Sequence, residues 1–250
     1  MKIALTFDIE SDIPHFSDTF FGVKFGLSKI LKILDYYNIK ATFFCTGNVV
    51  KAYPEYIKLI RRKRHEISCH GLNHERLNQL RYEKCKDVIF RNKELIEKII
   101  DDSNVIGFRA PYLKPPEFLF KILNDLGFKY DSSIVSSKRM KYFQYEGTSI
   151  QEFHPLNSNF FFRLPLSIPI FRKWIIKKDL VVLYFHPWEA INMKRILLNQ
   201  KGVVNLLRNV IFRPDRWYNT GSKFIQRFND FLREAISKKS EFITLEKLLT

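Results

Sequence analysis

Short apolar runs alternate with amphipathic stretches of helical period along most of this chain, and that alternation constrains the fold more than any other feature. "KIALTFD" reads as a buried strand at residues 2 to 8. Leu27, Ile30, Leu31 and Leu34 then fall at i, i+3, i+4 and i+7, which predicts a helix ending near Asn38. "KATFFCTG" is a second strand closed by Gly47, Pro54 opens a helix through about Lys63, and "HEISCHG" is a third short strand. Val88, Ile89, Leu95, Ile96 and Ile99 mark a long helix, and "NVIGFRAP" a strand after it. Pro115 and Pro116 are expected to start a further helix, in whose first turn a missing N–H costs little, with Gly127 as its cap. "KYDSS", "LVVLYFH" and a last amphipathic helix through Phe224, Phe228, Phe231, Leu232 and Ala235 complete the pattern. Repeated βα units imply a parallel α/β sheet, and their number favours a barrel over a doubly wound sheet.

A length of 250 residues suits one such domain over 1–250, with residues 190–250 read as a basic C-terminal extension packed on the barrel. At 46% hydrophobic and 15% aromatic the chain is not disordered, and no apolar stretch approaches the ~18 residues of a membrane span. Met1 leads straight into a strand with no leader pattern, so a cytoplasmic location is expected. Cys45, Cys69 and Cys85 are odd in number and lack a CxxC spacing, which fits buried free thiols. The formal charge is +16, and residues 190 to 239 hold 11 Lys or Arg against 3 Asp or Glu. Such a surface attracts anionic partners, and nucleic acid, anionic lipid and charged glycans all qualify. No nucleic-acid motif accompanies the charge, so nucleic acid is the partner not expected. Arg208, Arg213, Arg216, Lys223 and Arg227 flank the apolar "VVNLLRNVIF" and Trp217, a composition suited to peripheral contact with an anionic membrane.

The polar residues at strand ends carry the chemistry. Asp8, Gly47, His70, Arg109, Asp131 and His186 all lie at or just past the C-terminal ends of predicted strands, the face on which parallel barrels build active sites. In "SCHGLNHERL", His70 and His74 stand at i and i+4. If a helical turn follows the strand, both imidazoles face one point. Two neutral nitrogens and a carboxylate leave coordination positions open, as in a catalytic site for a divalent transition metal such as zinc. Glu10 is the expected third ligand and Asp12, two residues on and on the same side of an extended chain, is the alternative. Asp8, one alternation earlier, can take a proton from a water beside the cation. Arg109 in "FRAPY" can grip a carboxylate in bidentate fashion, and the bend after it leaves the Tyr112 backbone N–H to face an oxyanion. His186 in "LYFHPWE" can protonate a leaving amine, with Asp131 in "YDSS" expected to raise its pKa and fix its tautomer.

Together, "TFDIE", "ATFFCTGN", "HGLNH", "FRAPY", "YDSS" and "YFHPWE" resemble, in this order, the motifs of the polysaccharide deacetylases, the carbohydrate esterases of NodB homology. The resemblance covers residues 1 to about 190. It implies a distorted, TIM-barrel-like (β/α)7 barrel and metal-dependent removal of an acetyl group from a sugar. It also implies Asp8 as base, His70 and His74 as metal ligands and His186 as acid. The chain departs from the family where Ile9 follows Asp8 in place of a second aspartate, and where no tryptophan follows the Asp131 motif. The wall of the acetyl pocket must therefore differ. The "FHPWE" ending and "RWYNTG" resemble a subgroup associated with exopolysaccharide or cell-envelope glycan genes. Three functions fit: deacetylation of an N-acetylated amino sugar, a deformylase or other C–N hydrolase acting on a lipid-linked sugar, and a catalytically inactive glycan-binding protein. Intact Asp8, Arg109 and His186 favour an enzyme, since a binder needs no acid and base together.

Overall fold

The computed structural model describes residues 1–13, 19–101, 105–135, 143–144, 147–156, 158–163, 178–199 and 214–249. Strand β1 (Lys2–Ile9) lies at the middle of the sheet. On one side it pairs in parallel with β2 (Thr42–Cys45), and the parallel ladder continues through β3 (Glu66–Cys69), β4 (Gly107–Phe108) and β5 (Tyr130–Asp131). On its other side lies β9 (Leu180–Phe185), also parallel, with Lys2 opposite Leu180 and Phe7 opposite Phe185. The short stretch from Gln151 to Leu156 joins the two flanks. Its first half, β7 (Gln151–Glu152), pairs in parallel with β5, and its second half, β8 (Pro155–Leu156), pairs in parallel with β9. The parallel ladder therefore runs round a ring, and the break between β7 and β8 is where that ring is distorted. β6 (Phe143–Gln144) adds antiparallel to β7, and β10 (Glu241–Phe242) pairs with the start of β1 at Lys2 and Ile3, before the pairing with β2 begins at Thr6.

The alternation of β1 explains both layers. Ile3, Leu5, Phe7 and Ile9 pack outward in one apolar cluster with Leu27, Ile30, Leu31 and Leu34 of helix α1 (Leu27–Tyr36) and with Phe224 and Phe228 of the helix Ser222–Ser237. Ala4 faces the other way, into a second cluster with Phe44, Tyr130, Phe153, Val182 and Leu245 inside the ring. Because side chains alternate, the residues that follow Ala4 on this inner face are Thr6, Asp8 and Glu10. The same rule carries Glu66, Ser68 and His70 inward along β3, and Val182, Tyr184 and His186 along β9. Apolar side chains thus pack in the lower interior around the buried Glu66, while Asp8, Glu10, His70 and His186 gather at the end where the strands stop.

Two predicted boundaries shift. Only Gly107 and Phe108 of "NVIGFRAP" form strand, and Tyr130 lies across this point because residue 107 is glycine: a Cβ there would sit 2.0 Å from the phenol ring. The helix expected from Pro115 begins instead at Leu119. The Leu119 N–H bonds to Pro116 O in a turn, three residues after the second of two prolines that have no N–H to give. Gly127 does close this helix, at φ +75°. All three cysteines are buried and free. Among the described residues no helix is long and apolar enough to cross a membrane.

Candidate active site

Glu10 emerges from the end of β1 almost fully buried, and three imidazoles surround its carboxylate. His74 Nε2 lies 2.5 Å and His70 Nε2 3.3 Å from Oε2, and His186 Nε2 lies 3.5 Å from Oε1. Burial pushes Glu10 toward protonation, but the positive character of His74, then His70 and His186, outweighs it and holds the carboxyl well below the usual range. Yet Glu10 Oε2 receives no aligned N–H, and His74 Nδ1 is likewise buried without a hydrogen bond. Two imidazole nitrogens converging on one buried carboxylate oxygen form an arrangement that a shared cation would satisfy. One donor atom each from Glu10, His70 and His74 lies within 4.8 Å of the others, so the three fit a divalent metal.

The histidine pair reaches this point by a different route from the one its spacing predicts. Residues 70–76, directly after β3, form no helix. Gly71 and His74 take left-handed backbone angles, φ +76° and +59°, and the Glu75 carboxylate accepts the N–H groups of Leu72 and Asn73 to hold the bend. His70 is oriented separately. Its Nδ1 lies 2.8 Å from Arg109 O, which turns Nε2 toward Glu10, and its own N–H bonds to Cys45 O and to the buried Asn92. Burial disfavours a charged His70, but Asp8 and Glu10 more than offset this and raise its pKa, a field that a cation on Nε2 would equally satisfy.

Asp8 stands beside this cluster, 3.9 Å from His70 Nε2, with its other oxygen held at 2.7 Å by Arg109 Nη1. Arg109 is fully buried and has one bond to Asp8 rather than the bidentate grip expected. Its other donors go to Thr6 Oγ1, Ser132 O and Ser132 Oγ, and its guanidinium lies 4.1 Å from the Phe44 ring centroid. Thr6 and Ser132 were not anticipated from sequence, although Thr6 sits one alternation before Asp8 and so faces the same interior.

Two expected residues are elsewhere. Asp12, the alternative ligand, is committed to the backbone: it accepts Thr19 Oγ1 and Phe21 N on Oδ2, and Gly22 N on Oδ1, each within 2.8 Å. Asp131 does not partner His186. Its carboxylate accepts Ser133 Oγ at 2.7 Å and Ser133 N at 3.1 Å, and it shares a hydrogen bond with the buried Glu152. Burial, then the adjacent Asp131, raises the Glu152 pKa well above the ordinary value. The reason is alternation and register: Tyr130 and Phe153 take the inner face of β5 and of the stretch after β7, so Asp131 and Glu152, paired across the two strands, turn to the other face. His186 Nδ1 is buried without a hydrogen bond. What contacts this imidazole is aromatic: Trp188 stacks on it at 5.1 Å and 25°, and Tyr184 meets it edge-on at 5.8 Å.

A cavity of about 210 Å³ opens over these groups, walled by Ile13, Tyr112, Leu113, Tyr184 and Trp188, with Asp8, Glu10, His70, His74 and His186 at its base. Trp188 supplies aromatic surface that the Asp131 motif lacks. Tyr112 has φ +62°, and its ring packs 4.3 Å from His74 with the Arg76 guanidinium 4.5 Å from its centroid.

A parallel barrel that carries, at its C-terminal face, a trio able to hold a metal beside acid and base candidates is the class that fold and site define. The sequence profile of the family described as Polysaccharide deacetylase matches residues 1–130, and the chain belongs to that family. Among curated relatives, the peptidoglycan deacetylase of Helicobacter pylori is 28% identical over 129 residues, 52% of this chain and 44% of that protein. The match thus spans less than half the relative's length. Among solved structures, one titled a putative polysaccharide deacetylase from Mycobacterium smegmatis superposes with a TM-score of 0.65 at 23% identity, covering 98% of this chain and 93% of that one. A CE4 family pseudoenzyme from Bacillus anthracis superposes with a TM-score of 0.62 at 15% identity, covering 100% and 65%. At these identities the two structures speak to fold alone, and they agree with the α/β barrel described above.

Proposed function

We propose that this chain is a metal-dependent hydrolase that removes acetyl groups from N-acetylated amino sugars of a polysaccharide or glycan precursor, breaking a carbon–nitrogen bond of a linear amide. The observation that supports it is the convergence of Glu10, His70 and His74 in one cavity, with a carboxylate on one flank and an imidazole on the other. Bound by that trio, a divalent metal such as zinc supplies a Lewis acid for the acetyl carbonyl and acidifies a water. Asp8 receives the proton of the attacking water on its carboxylate, which the contact with Arg109 Nη1 holds in place. The Tyr112 backbone N–H faces the oxyanion that develops on the acetyl oxygen. His186 delivers a proton to the departing sugar nitrogen, which leaves as an amine. Asp131 takes no part beside His186.

A glycan-binding protein without activity is the rival from another class, and a pseudoenzyme is among the structural neighbours. The assembly of base, ligands and acid around one cavity favours catalysis. The deciding experiment measures acetate release by mass spectrometry from a panel of acetylated glycans, with zinc added back. Stoichiometric acetate and free amine support the reading. No release from any glycan by zinc-loaded protein overturns it, and formate from a formylated, lipid-linked sugar would replace it with the deformylase.

Membrane contact at an anionic surface is part of the same reading for a lipid-linked substrate, but the proposed basic cluster changes. Arg208, Arg213 and "VVNLLRNVIF" lie outside the described residues. Arg216 is buried and Arg227 donates to Phe162 O, so of the described members only Lys223 is an exposed cation.

A further inference from the structure

Three stretches that the proposed reaction leaves unused converge behind His186. The first is the turn Pro187–Ala190 that follows it, whose Glu189 is fully buried and accepts the His186 N–H on Oε2 at 3.3 Å. The second is Arg163, at the end of the helix Ser158–Arg163. Its Nε lies 3.1 Å from Glu189 Oε1, and its guanidinium lies 5.1 Å from the centroid of Trp188. The third is "RWYNTG", a sequence motif that no step of the chemistry absorbs. Asn219 in it donates to Arg163 O, Arg163 donates to Asp215 O just before it, and the Gly221 N–H bonds to Glu189 O at 2.8 Å. Thr220 Oγ1 accepts the Met193 N–H where the chain leaves the turn.

These contacts matter because of what His186 lacks. A proton-transfer imidazole is normally fixed by a hydrogen bond to its second nitrogen, and here Nδ1 has none while Asp131 is engaged elsewhere. The ring instead lies against Trp188, nearly parallel, and Arg163 lies against Trp188 in turn. A guanidinium suits this place because it can ion-pair in its plane and stack on an indole with its face. An ion pair with Glu189 shut away from water has a fixed geometry, since neither charge has solvent to turn to.

We infer that Arg163 and Glu189 are positioning residues for His186, acting through the Trp188 stack and the His186 backbone N–H, and that "RWYNTG" holds Arg163 in place. The inference takes from the proposed function only the role of His186 as acid. It gives the C-terminal third of the chain a part in completing the active site.

The test compares Arg163→Lys, Glu189→Gln and Asn219→Ala with Arg195→Ala, an exposed arginine that touches none of these groups. The readouts are acetate-release kinetics, bound zinc, and the NMR shifts of the His186 ring protons, which the stacked indole shields. The expected result is a kcat lower by about 10-fold or more in Arg163→Lys and Glu189→Gln, with KM and zinc content within about twofold of the parent. The His186 shielding should be lost in the same two variants, reduced in Asn219→Ala and kept in Arg195→Ala. A folded, zinc-loaded Arg163→Lys with the parent's kcat and unshifted His186 signals overturns the inference. If either variant fails to fold, Asn219→Ala, which leaves both charges in place, decides by the same readouts. Should the parent release no acetate at all, the proposed function fails, and the NMR shifts alone judge the positioning.

Discussion

At the scale of single residues, the site separates Glu10, the expected ligand, from Asp12, the alternative that alternation puts on the same side of the chain. Glu10 faces three imidazoles, whereas Asp12 has its acceptors filled by the Thr19 hydroxyl and the Phe21 and Gly22 N–H groups. Glu10→Gln, His70→Ala and His74→Ala are therefore expected to lose bound zinc in elemental analysis. Asp12→Asn should keep it, while unfolding at lower denaturant by about 1–3 kcal/mol, because an amide N–H would then meet backbone N–H groups. Zinc lost from Asp12→Asn but kept by Glu10→Gln would reverse the assignment. Asp8→Asn should keep the metal yet lose a factor of ~10² to 10⁴ in kcat, the usual worth of a general base; near-normal turnover would place the base elsewhere. Asp8, Glu10, His70, Arg109 and His186 were legible because each lies at or just past the end of a strand, and His74 because of its spacing from His70. Ser132 was not, since nothing local in "YDSS" says that its hydroxyl will meet a guanidinium from the neighbouring strand.

At the scale of elements, strand alternation also builds a polar cluster at the opposite end of the ring. Glu66 on β3 is buried and accepts Thr42 Oγ1 at 2.6 Å, the Tyr130 hydroxyl at 2.5 Å and the Glu246 N–H at 3.1 Å, so it ties β2, β3 and β5 to the C-terminal turn. Burial, then the charge of Glu246, raises its pKa to about 7 against hydrogen bonds that pull the other way. The folded state thus keeps a proton that the unfolded chain releases near pH 4.5. The stabilisation is complete below that pH and is lost as the pH rises through about 7, by about 3 kcal/mol in all. Denaturant titrations of the parent and Glu66→Gln should show the parent's relative stability falling by that order over the window. Taking the difference cancels other groups, such as the buried His65, whose lowered pKa acts in the opposite sense. A difference that is flat, or grows with pH, contradicts the account. At this scale the sequence was less reliable. An i, i+4 pair reads as a helix until Gly71 and His74 are seen at positive φ, a backbone choice made by contacts with Glu75 and not by the pair itself.

For the molecule as a whole, a formal charge of +16 predicts attraction to anionic surfaces, each exposed Lys or Arg near a membrane contributing ~1 kcal/mol. Co-sedimentation with phosphatidylserine vesicles should weaken with salt and be abolished by charge reversal at Arg208 and Arg213. Charge reversal at the buried Arg216 should instead lower the melting temperature, because it places an acid where 2% of the residue is exposed. Equal indifference to neutral and anionic vesicles at low salt would remove the membrane from the proposed function.

The sequence by itself determined the class of fold and most of the residues at its active face. Both follow from periodicity, a property of neighbours along the chain: period 3.6 for the helices, and period 2 for strands that send aliphatics one way and acids the other. Tertiary structure alone decided which of those residues meet. Register between strands sent Asp131 to Glu152 instead of His186, a loop of left-handed residues brought His74 to Glu10, and the folding back of residues 214 to 221 set Arg163 and Glu189 behind Trp188. These are pairings between residues far apart in the chain, fixed by packing and by the hydrogen bonds that buried polar groups require, and no local pattern encodes them.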